Sequence, residues 1–267
     1  MELTRSPLDA EALRSLVPRE FWRALAVCDV TGSTNADVAA AARAGAAEGL
    51  VVVAERQDAG RGRIGRQWVS PPRAGLTFSV LLRPAGVPTH RWGWLPLLAG
   101  VALATAVTTV AGVETWLKWP NDLLAGAGRR KVAGLLAEVA DDAVVVGIGL
   151  NVTLAAEDLP RPDATSLALA GATELDRNVL LPPILAALSA DYLAWRAAGG
   201  DPESAGLLAG YRERCDTLGR QVRVELPAGD PLLGKAVDVD VDGRLVVETA
   251  TGPTLVAAGD VVHVRPD

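Results

Sequence analysis

The chain has 267 residues, 49% hydrophobic and 22% charged, with 32 acidic against 26 basic side chains and a formal net charge of −6. That is enough apolar chain for one large or two modest domains, and the negative balance excludes a general nucleic-acid binder built on a basic face. Two distant cysteines, Cys28 and Cys215, and two histidines, His90 and His263, exclude a disulfide framework, a zinc site and a histidine relay, and point to a reducing compartment, the cytoplasm.

The N-terminal stretch MELTRSPLDAEALRSL has no apolar run and does not read as a signal peptide. A short helix is expected over about 8–18, entered at Pro7, and then a strand over 25–30. The stretch GSTNADVAAAARAG offers Thr34 as a helix N-cap with Asp37 three residues on, a capping-box spacing. Apolar runs at 49–55, 75–84, 113–119, 131–139 and 143–152 read as strands. Trp92 to Val113 carries no charge and nearly reaches the ~20 residues of a membrane span. Its Pro96, Gly100 and Gly112, with many Ala and Thr, suit a buried core helix instead. Helices are expected over about 178–198 and 202–217. From Gly219 the chain turns to short β runs, with Asp242-Gly243 as a hairpin signal. The fold class is therefore α+β. Residues 1–218 form a mixed sheet flanked by helices, and residues 219–267 a small SH3-like β-barrel.

One loop stands out. DAGRGRIGRQW, residues 58–68, packs three glycines and three arginines into Gly60–Arg66. GRGRIG satisfies the G-x-G-x-x-G pattern after a strand, but that fingerprint must open a helix. Here Pro71 and Pro72 forbid one and a strand follows, so a dinucleotide site is rejected. Glycines allow tight folding around a ligand, and arginines give planar, permanently charged forks for phosphate or carboxylate. The loop reads as a closure over an anionic, phosphate-bearing ligand. With Ile64 as its only branched apolar side chain and three mutually repelling arginines, it is expected to be mobile until a ligand supplies partners.

Three companions join it. In KWPNDLL, Lys118 ends a strand and Asn121 and Asp122 lie beyond Pro120, where Asp122 could help hold a magnesium nucleotide; an Asn-Asp turn is the plain alternative. Lys131 opens an apolar strand, either as an edge charge or as a point charge for a reacting phosphate. Gly147 and Gly149, inside a strand, imply close approach of another group or simple helix-on-sheet packing.

Together, STN (33–35), QDAGRGRIGRQW (57–68), KWPND (118–122), KVAGLLAE (131–138) and GIGLNV (147–152) resemble the biotin protein ligases in order and spacing, from about residue 25 to the C-terminus. The resemblance implies the class II synthetase-like catalytic fold of that family with its small C-terminal β domain. It implies activation of biotin by ATP with Mg²⁺ to biotinyl-AMP and pyrophosphate. Transfer to a lysine of a biotin carboxyl carrier domain of an acyl-CoA or acetyl-CoA carboxylase follows. Carried over residue by residue, Ser33, Thr34, Gln57, Gly60 and Arg61 look like biotin contacts, with Gly134 and Gly149 leaving room. The resemblance makes Lys131 look like the bridge between the biotin carboxylate and the α-phosphate and, with Arg63, like a catalytic residue. Arg63, Arg66, Trp68, Asn121, Asp122 and Asn151 look like ATP or adenylate contacts, Asp122 also touching the metal.

Two departures matter. Ile64 stands where a third basic residue is often found. The core begins near residue 25, too early for a preceding DNA-binding domain of ~50 residues, so a ligase without DNA binding, monomeric or weakly dimeric, is expected. The related lipoate ligases and a non-catalytic biotin or nucleotide sensor are the alternatives. The loop with KWPND favours biotin over lipoate, and the intact Lys131 and Arg63 argue against a sensor.

Overall fold

The computed structural model describes residues 5–226 and 229–264. The chain runs through α1 (Ala10–Leu16), β1 (Ala24–Cys28), α2 (Thr34–Arg43), β2 (Leu50–Ala54), β3 (Gly75–Leu82) and α3 (Leu95–Ala111). Next come β4 (Thr115–Lys118), β5 (Asp122–Ala125), β6 (Arg130–Ala140), β7 (Ala143–Asn151), α4 (Arg177–Ala197) and α5 (Leu207–Arg214). Five strands close the chain: β8 (Gln221–Glu225), β9 (Leu232–Val239), β10 (Leu245–Thr249), β11 (Gly252–Val256) and β12 (Asp260–His263). β5 was not expected. Its four residues, DLLA, are too short a run to stand out beside KWPN, yet they form the return arm of a β4–β5 hairpin around the cis Trp119–Pro120 bond.

The first seven strands make one mixed sheet in the order β1-β2-β3-β7-β6-β5-β4, parallel only between β1 and β2. Successive side chains of a strand point to opposite faces, and the sequence uses that alternation. Leu76, Phe78, Val80 and Leu82 of β3, with Val144, Val146, Ile148 and Leu150 of β7, face the main core under α3 and α4. On the other face Leu81 and Val145 pack with Val38, Ala39 and Ala42 of α2. Further along the same two strands, that second face carries Thr77 and Ser79 against Gly149 and Gly147. The interior of one layer thus gives way to small and polar groups at one end of the sheet, where the cavity lies.

The uncharged stretch is core. Thr89–Ala111 and Arg177–Ala197 are long and apolar enough to cross a membrane by length and composition, but the most apolar 18-residue stretch of the first is 72% buried, packed on α4, β4 and β6. α5 starts later than expected, because Gly206 at φ 73° sets its entry.

The last five strands form an antiparallel sheet, β11-β10-β9-β8-β12. Val222, Val224, Ala236, Leu245 and Val247 join its core to the main one. The Asp242-Gly243 signal marks a turn that also docks. Asp240 accepts from the Asp242 and Arg244 amides, and Gly243 has φ 80°. The Gly243 carbonyl accepts from the Trp119 indole at 3.0 Å, and Arg91 donates to the Val241 carbonyl at 2.5 Å. The small module is thereby seated against the residue preceding Pro120.

A buried ion pair ties the N-terminal segment to the sheet. Arg177 and Glu55 meet at 2.5 Å with side chains 4% and 6% exposed. Arg177 also donates to the Ser6 and Gly75 carbonyls, and Glu55 accepts from the Leu8 amide. Removing one partner of such a pair leaves a charge without its counter-ion. Arg177→Met is therefore expected to cost about 3–5 kcal/mol of stability, read by urea denaturation.

His263 gives a second prediction. Burial first, and then the charge of Lys118, push its imidazole down to about 4 from the ordinary 6.5, against the pull of Asp216 at 3.7 Å. Arg220 also disfavours the charged ring. Between those two values the unfolded chain binds the proton and the folded one does not. Stability should therefore fall as pH drops from about 6.5 to about 4, then level off. His263→Gln should flatten that part of the pH–stability curve.

Candidate active site

Ser33, not Thr34, caps α2. Ser33 is extended (φ −161°, ψ 125°) and its hydroxyl accepts from the Ala36 amide. The cap sits one residue earlier than the spacing suggested because Asp37 is taken by the Thr31 hydroxyl at 2.6 Å rather than folding back on the cap. Thr34, released from capping, turns to Gln57: the Gln57 Oε1 accepts from the Thr34 amide at 2.8 Å and its hydroxyl at 3.1 Å. Behind them Ser79 lies 2.7 Å from the Thr34 hydroxyl and donates to Asn35 Oδ1 at 2.6 Å.

The floor of the site is a row across four strands. Strand register places Thr77 beside Gly149, Gly149 beside Gly134, and Gly134 beside Asp122. At the spacing of paired strands this row spans about 14 Å. A Cβ at Gly149 would lie 2.3 Å from the Trp68 ring, one at Gly134 3.1 Å, and one at Gly147 1.9 Å from Asn35 Oδ1. Both expectations for these glycines hold in turn: Gly147 admits a side chain of the packed helix, and Gly149 admits the indole that closes the loop.

The Arg-Gly loop is a narrow hairpin. Trp68 donates to the Gly60 carbonyl at 2.9 Å, Gly62 to the Arg66 carbonyl at 2.7 Å, and Arg61 pairs with Gln67. Gly65 turns the tip at φ 69°, and a Cβ at Gly60 would strike the Trp68 carbonyl at 2.4 Å. The expectation of unpartnered, mutually repelling arginines is overturned. Arg61 meets Glu138 at 3.3 Å, Arg63 donates to the Gly259 carbonyl at 3.1 Å, and Arg66 pairs with Asp260. These partners come from β6 and from the small module. Ile64 sits exposed at φ 54°, a left-handed backbone uncommon for a β-branched residue.

These parts enclose a cavity of about 410 Å³. It brings together Ser33, Thr34, Gln57, Arg61, Arg63, Arg66 and Trp68 from the first half of the chain. Asn121, Asp122, Lys131, Gly134, Gly149 and Asn151 complete it. Gly60 is not in the lining; it is buried behind the hairpin, where it lets Trp68 and Gln57 close in. Lys131 Nζ lies 2.5 Å from Asp122 Oδ1, a close ion contact. Trp68 Nε1 is buried without a hydrogen-bond partner. Asn121 donates to the Leu135 carbonyl and Asn151 to that of Thr165, so both amides also hold the walls. Burial pulls the Arg63 guanidinium below its usual range, opposed by Asp122 and Asp260.

A segment that the sequence reading missed completes the wall. Pro160, Arg161 and Ala164 line the cavity. The Lys131 amide donates to the Asp163 carbonyl and the Thr165 amide to the Lys131 carbonyl, both at 2.8 Å. The backbone of Lys131 is thus clamped by the loop before Thr165. Burial pushes the Asp163 carboxyl up, but the two bonds from Arg161, at 2.8 and 2.7 Å, outweigh it and hold it below its ordinary value. Irregular chain with no periodicity carried no signal, although Arg161 and Asp163 two residues apart were a visible ion pair. Among the described residues no cluster of three His, Cys, Asp or Glu forms a metal cage. Two carboxylates line the cavity, Asp260 paired with Arg66 and Asp122 with Lys131, and Asp122, at the end of the floor row, offers the oxygen ligand a phosphate-borne magnesium takes.

A mixed sheet whose glycine floor and Arg-Gly hairpin enclose a cation-lined cavity suits a small anionic ligand. The Biotin/lipoate A/B protein ligase family matches residues 27–153, and the Biotin protein ligase C terminal domain residues 217–264. A biotin--[acetyl-CoA-carboxylase] ligase of Mycobacterium tuberculosis is 47% identical over 98% of this chain and 97% of its own length. The bifunctional ligase/repressor BirA of Bacillus subtilis is 33% identical, over 87% of this chain and 72% of its own. Among solved structures, a biotin protein ligase from Aquifex aeolicus in complex with biotin and ATP superposes with a TM-score of 0.75 at 27% identity, covering 91% of this chain and 100% of that one. The chain belongs to the biotin protein ligases.

The glycine floor makes a testable demand. Gly149→Ala should cost about 1–3 kcal/mol by crowding the Trp68 ring, while the same change in a Trp68→Ala background should be nearly neutral. Denaturant midpoints of the four proteins check this.

Proposed function

We propose that this chain activates biotin with ATP to biotinyl-AMP, releasing pyrophosphate. It then passes the biotinyl group to a lysine of a biotin carboxyl carrier domain, releasing AMP. The observation that carries the reading is the cavity itself. At one end stand Ser33 and Thr34 at the start of α2 with Gln57, from the loop after β2, bonded to Thr34; at the other, beyond the glycine row, stand Lys131 and Asp122 with Arg63 and Arg66. The hydroxyls and amide suit the ureido ring of biotin, and the strand row gives its side chain a bare path to the cations.

The chemistry joins two anions. The biotin carboxylate must reach the α-phosphorus of ATP, and the barrier is dominated by their repulsion. Lys131, held through its backbone by the 163–165 segment, would bridge the carboxylate and the α-phosphate as charge builds on the phosphoryl oxygens. Arg63 and Arg66 take the phosphates in exchange for the Gly259 carbonyl and Asp260, with Arg61 on the biotin side. The bound magnesium, with Asp122 as its protein ligand, would neutralise phosphate charge. Trp68 walls the nucleotide, Asn121 and Asn151 line it, and Gly134 leaves room for the acid. The hairpin keeps water from the mixed anhydride until a lysine amine attacks its carbonyl carbon.

Support for biotin rather than lipoate comes from the 47% identical relative and from the Aquifex complex with biotin and ATP. Acetyl-CoA carboxylase as the source of the carrier domain follows the name of that relative. A net charge of −6 and two free cysteines support a cytoplasmic enzyme without a nucleic-acid partner. Biotin-dependent pyrophosphate release with lipoate as control tests the reading; release with lipoate alone would assign the site to the other branch of the family. Lys131→Ala should lose about 10²–10³-fold in that assay, as for an oxyanion-type donor, while melting as the parent does. Unchanged turnover would remove Lys131 from the mechanism.

A further inference from the structure

Glu138 ends the KVAGLLAE stretch and has no place in the reaction described above. It lies on the same face of β6 as Gly134 and Leu136 (i, i+2, i+4), one step past the cavity floor. It does not line the cavity; it faces the open groove on the far side of the Arg-Gly hairpin. A carboxylate one-third exposed at a surface groove would ordinarily be a solvated charge. Here both oxygens are assigned. Oε2 accepts from Asn35 Nδ2 at 2.6 Å, and Oε1 lies 3.3 Å from Arg61 Nη1.

Asn35 is itself fixed. It is buried at 4% exposure, its Nδ2 also reaches the Leu136 carbonyl, and Ser79 donates to its Oδ1. The bare backbone of Gly147 leaves no slack around it. Asn35 follows Ser33 and Thr34 directly on α2, so the helix that presents those two groups also sets the orientation of the Glu138 carboxylate. That carboxylate in turn reaches the first arginine of the hairpin.

We propose that Glu138 is a positioning residue: with Asn35 it holds the Arg61 guanidinium at the cavity wall, so that the start of α2 and the Arg-Gly hairpin form a single acid-binding unit. The proposal rests on the reading of Arg61 as a contact of the biotin acid. Glu138 acts only through Arg61. The ion pair is half exposed, so its contribution to overall stability is small. Its effect lies in which conformer the long arginine side chain occupies before ligand arrives.

The test is a double-mutant cycle on the full chain, with biotin affinity read by calorimetry and KM for MgATP measured alongside. Glu138→Gln keeps an oxygen for Asn35 and removes the charge that holds Arg61. It should weaken biotin about three- to tenfold, leave KM for MgATP within about twofold, and leave the thermal midpoint unchanged. Arg61→Ala should weaken biotin at least as much, and the double variant should match Arg61→Ala alone. Glu138→Asp, which keeps the charge but not the reach, should behave as Glu138→Gln. Additive losses in the double variant, or full biotin affinity in Glu138→Gln while Arg61→Ala is weakened, would overturn the positioning role and leave the function standing. Full biotin affinity in Arg61→Ala would remove that arginine from the biotin site and the proposal with it.

Discussion

Three missing Cβ atoms decide where the rest of the site can sit. Gly147, Gly149 and Gly134 lie on neighbouring central strands; a side chain at Gly147 or Gly149 would occupy space already filled by Asn35 or Trp68, and one at Gly134 would press on the Trp68 ring. The gap at Gly147 lets α2 approach until its polar start overhangs the sheet. The gaps at Gly149 and Gly134 let the Trp68 indole lie against the backbone, which fixes one end of the hairpin. Lys131 and Asp122 then face Trp68 across the same row. The cavity is therefore made by removing side chains from an otherwise packed layer, and its rigidity comes from the strands themselves.

On that rigid floor the charges are arranged for exchange. Each hairpin arginine is held by a protein acceptor that resembles part of an anionic ligand: a carboxylate for Arg61 and Arg66, a carbonyl for Arg63. Arg61 and Arg66 are about half exposed, and such pairs contribute about 1 kcal/mol at most. Ordering a loop residue costs about 1–2 kcal/mol. The protein contacts are thus too weak to lock the hairpin, and strong enough to keep its charge from collapsing elsewhere. In the proposed reaction phosphate would offer Arg63 and Arg66 bidentate, charge-assisted bonds in a partly desolvated site, stronger than those to Gly259 and Asp260, while Arg61 keeps Glu138. Two of the acceptors, Gly259 and Asp260, belong to the β12 end of the small module, so the hairpin contacts also tie that module to this side of the cavity.

Much of this was legible in the sequence where chemistry and local geometry coincide. Gly147 and Gly149 inside an apolar strand announced close approach, and the Arg-Gly run followed by prolines announced an anion loop rather than a dinucleotide helix. The uncharged 92–113 stretch showed itself as core through its Ala, Thr and Pro content. What was not legible depends on partners distant in sequence. Asp37 looked like a capping-box residue until Thr31 claimed it, which moved the cap from Thr34 to Ser33. Gly60 looked like a ligand contact because it is a glycine in the loop, whereas its freedom serves Trp68. The arginines looked unpartnered because Glu138, Gly259 and Asp260 lie about 70 to 200 positions away. The 160–164 wall has no periodicity at all.

The hairpin is anchored at Trp68 and weakly held along its arginines, and in the proposed reaction it closes as the phosphates displace Gly259 and Asp260 from Arg63 and Arg66. Limited trypsin digestion reads this directly, since Arg61, Arg63 and Arg66 are themselves cleavage sites. The free protein should be cut there first, and biotin together with MgATP should slow those cuts at least about tenfold while other sites keep their rates. Equal cutting rates after these three arginines, with and without both ligands, would contradict the account.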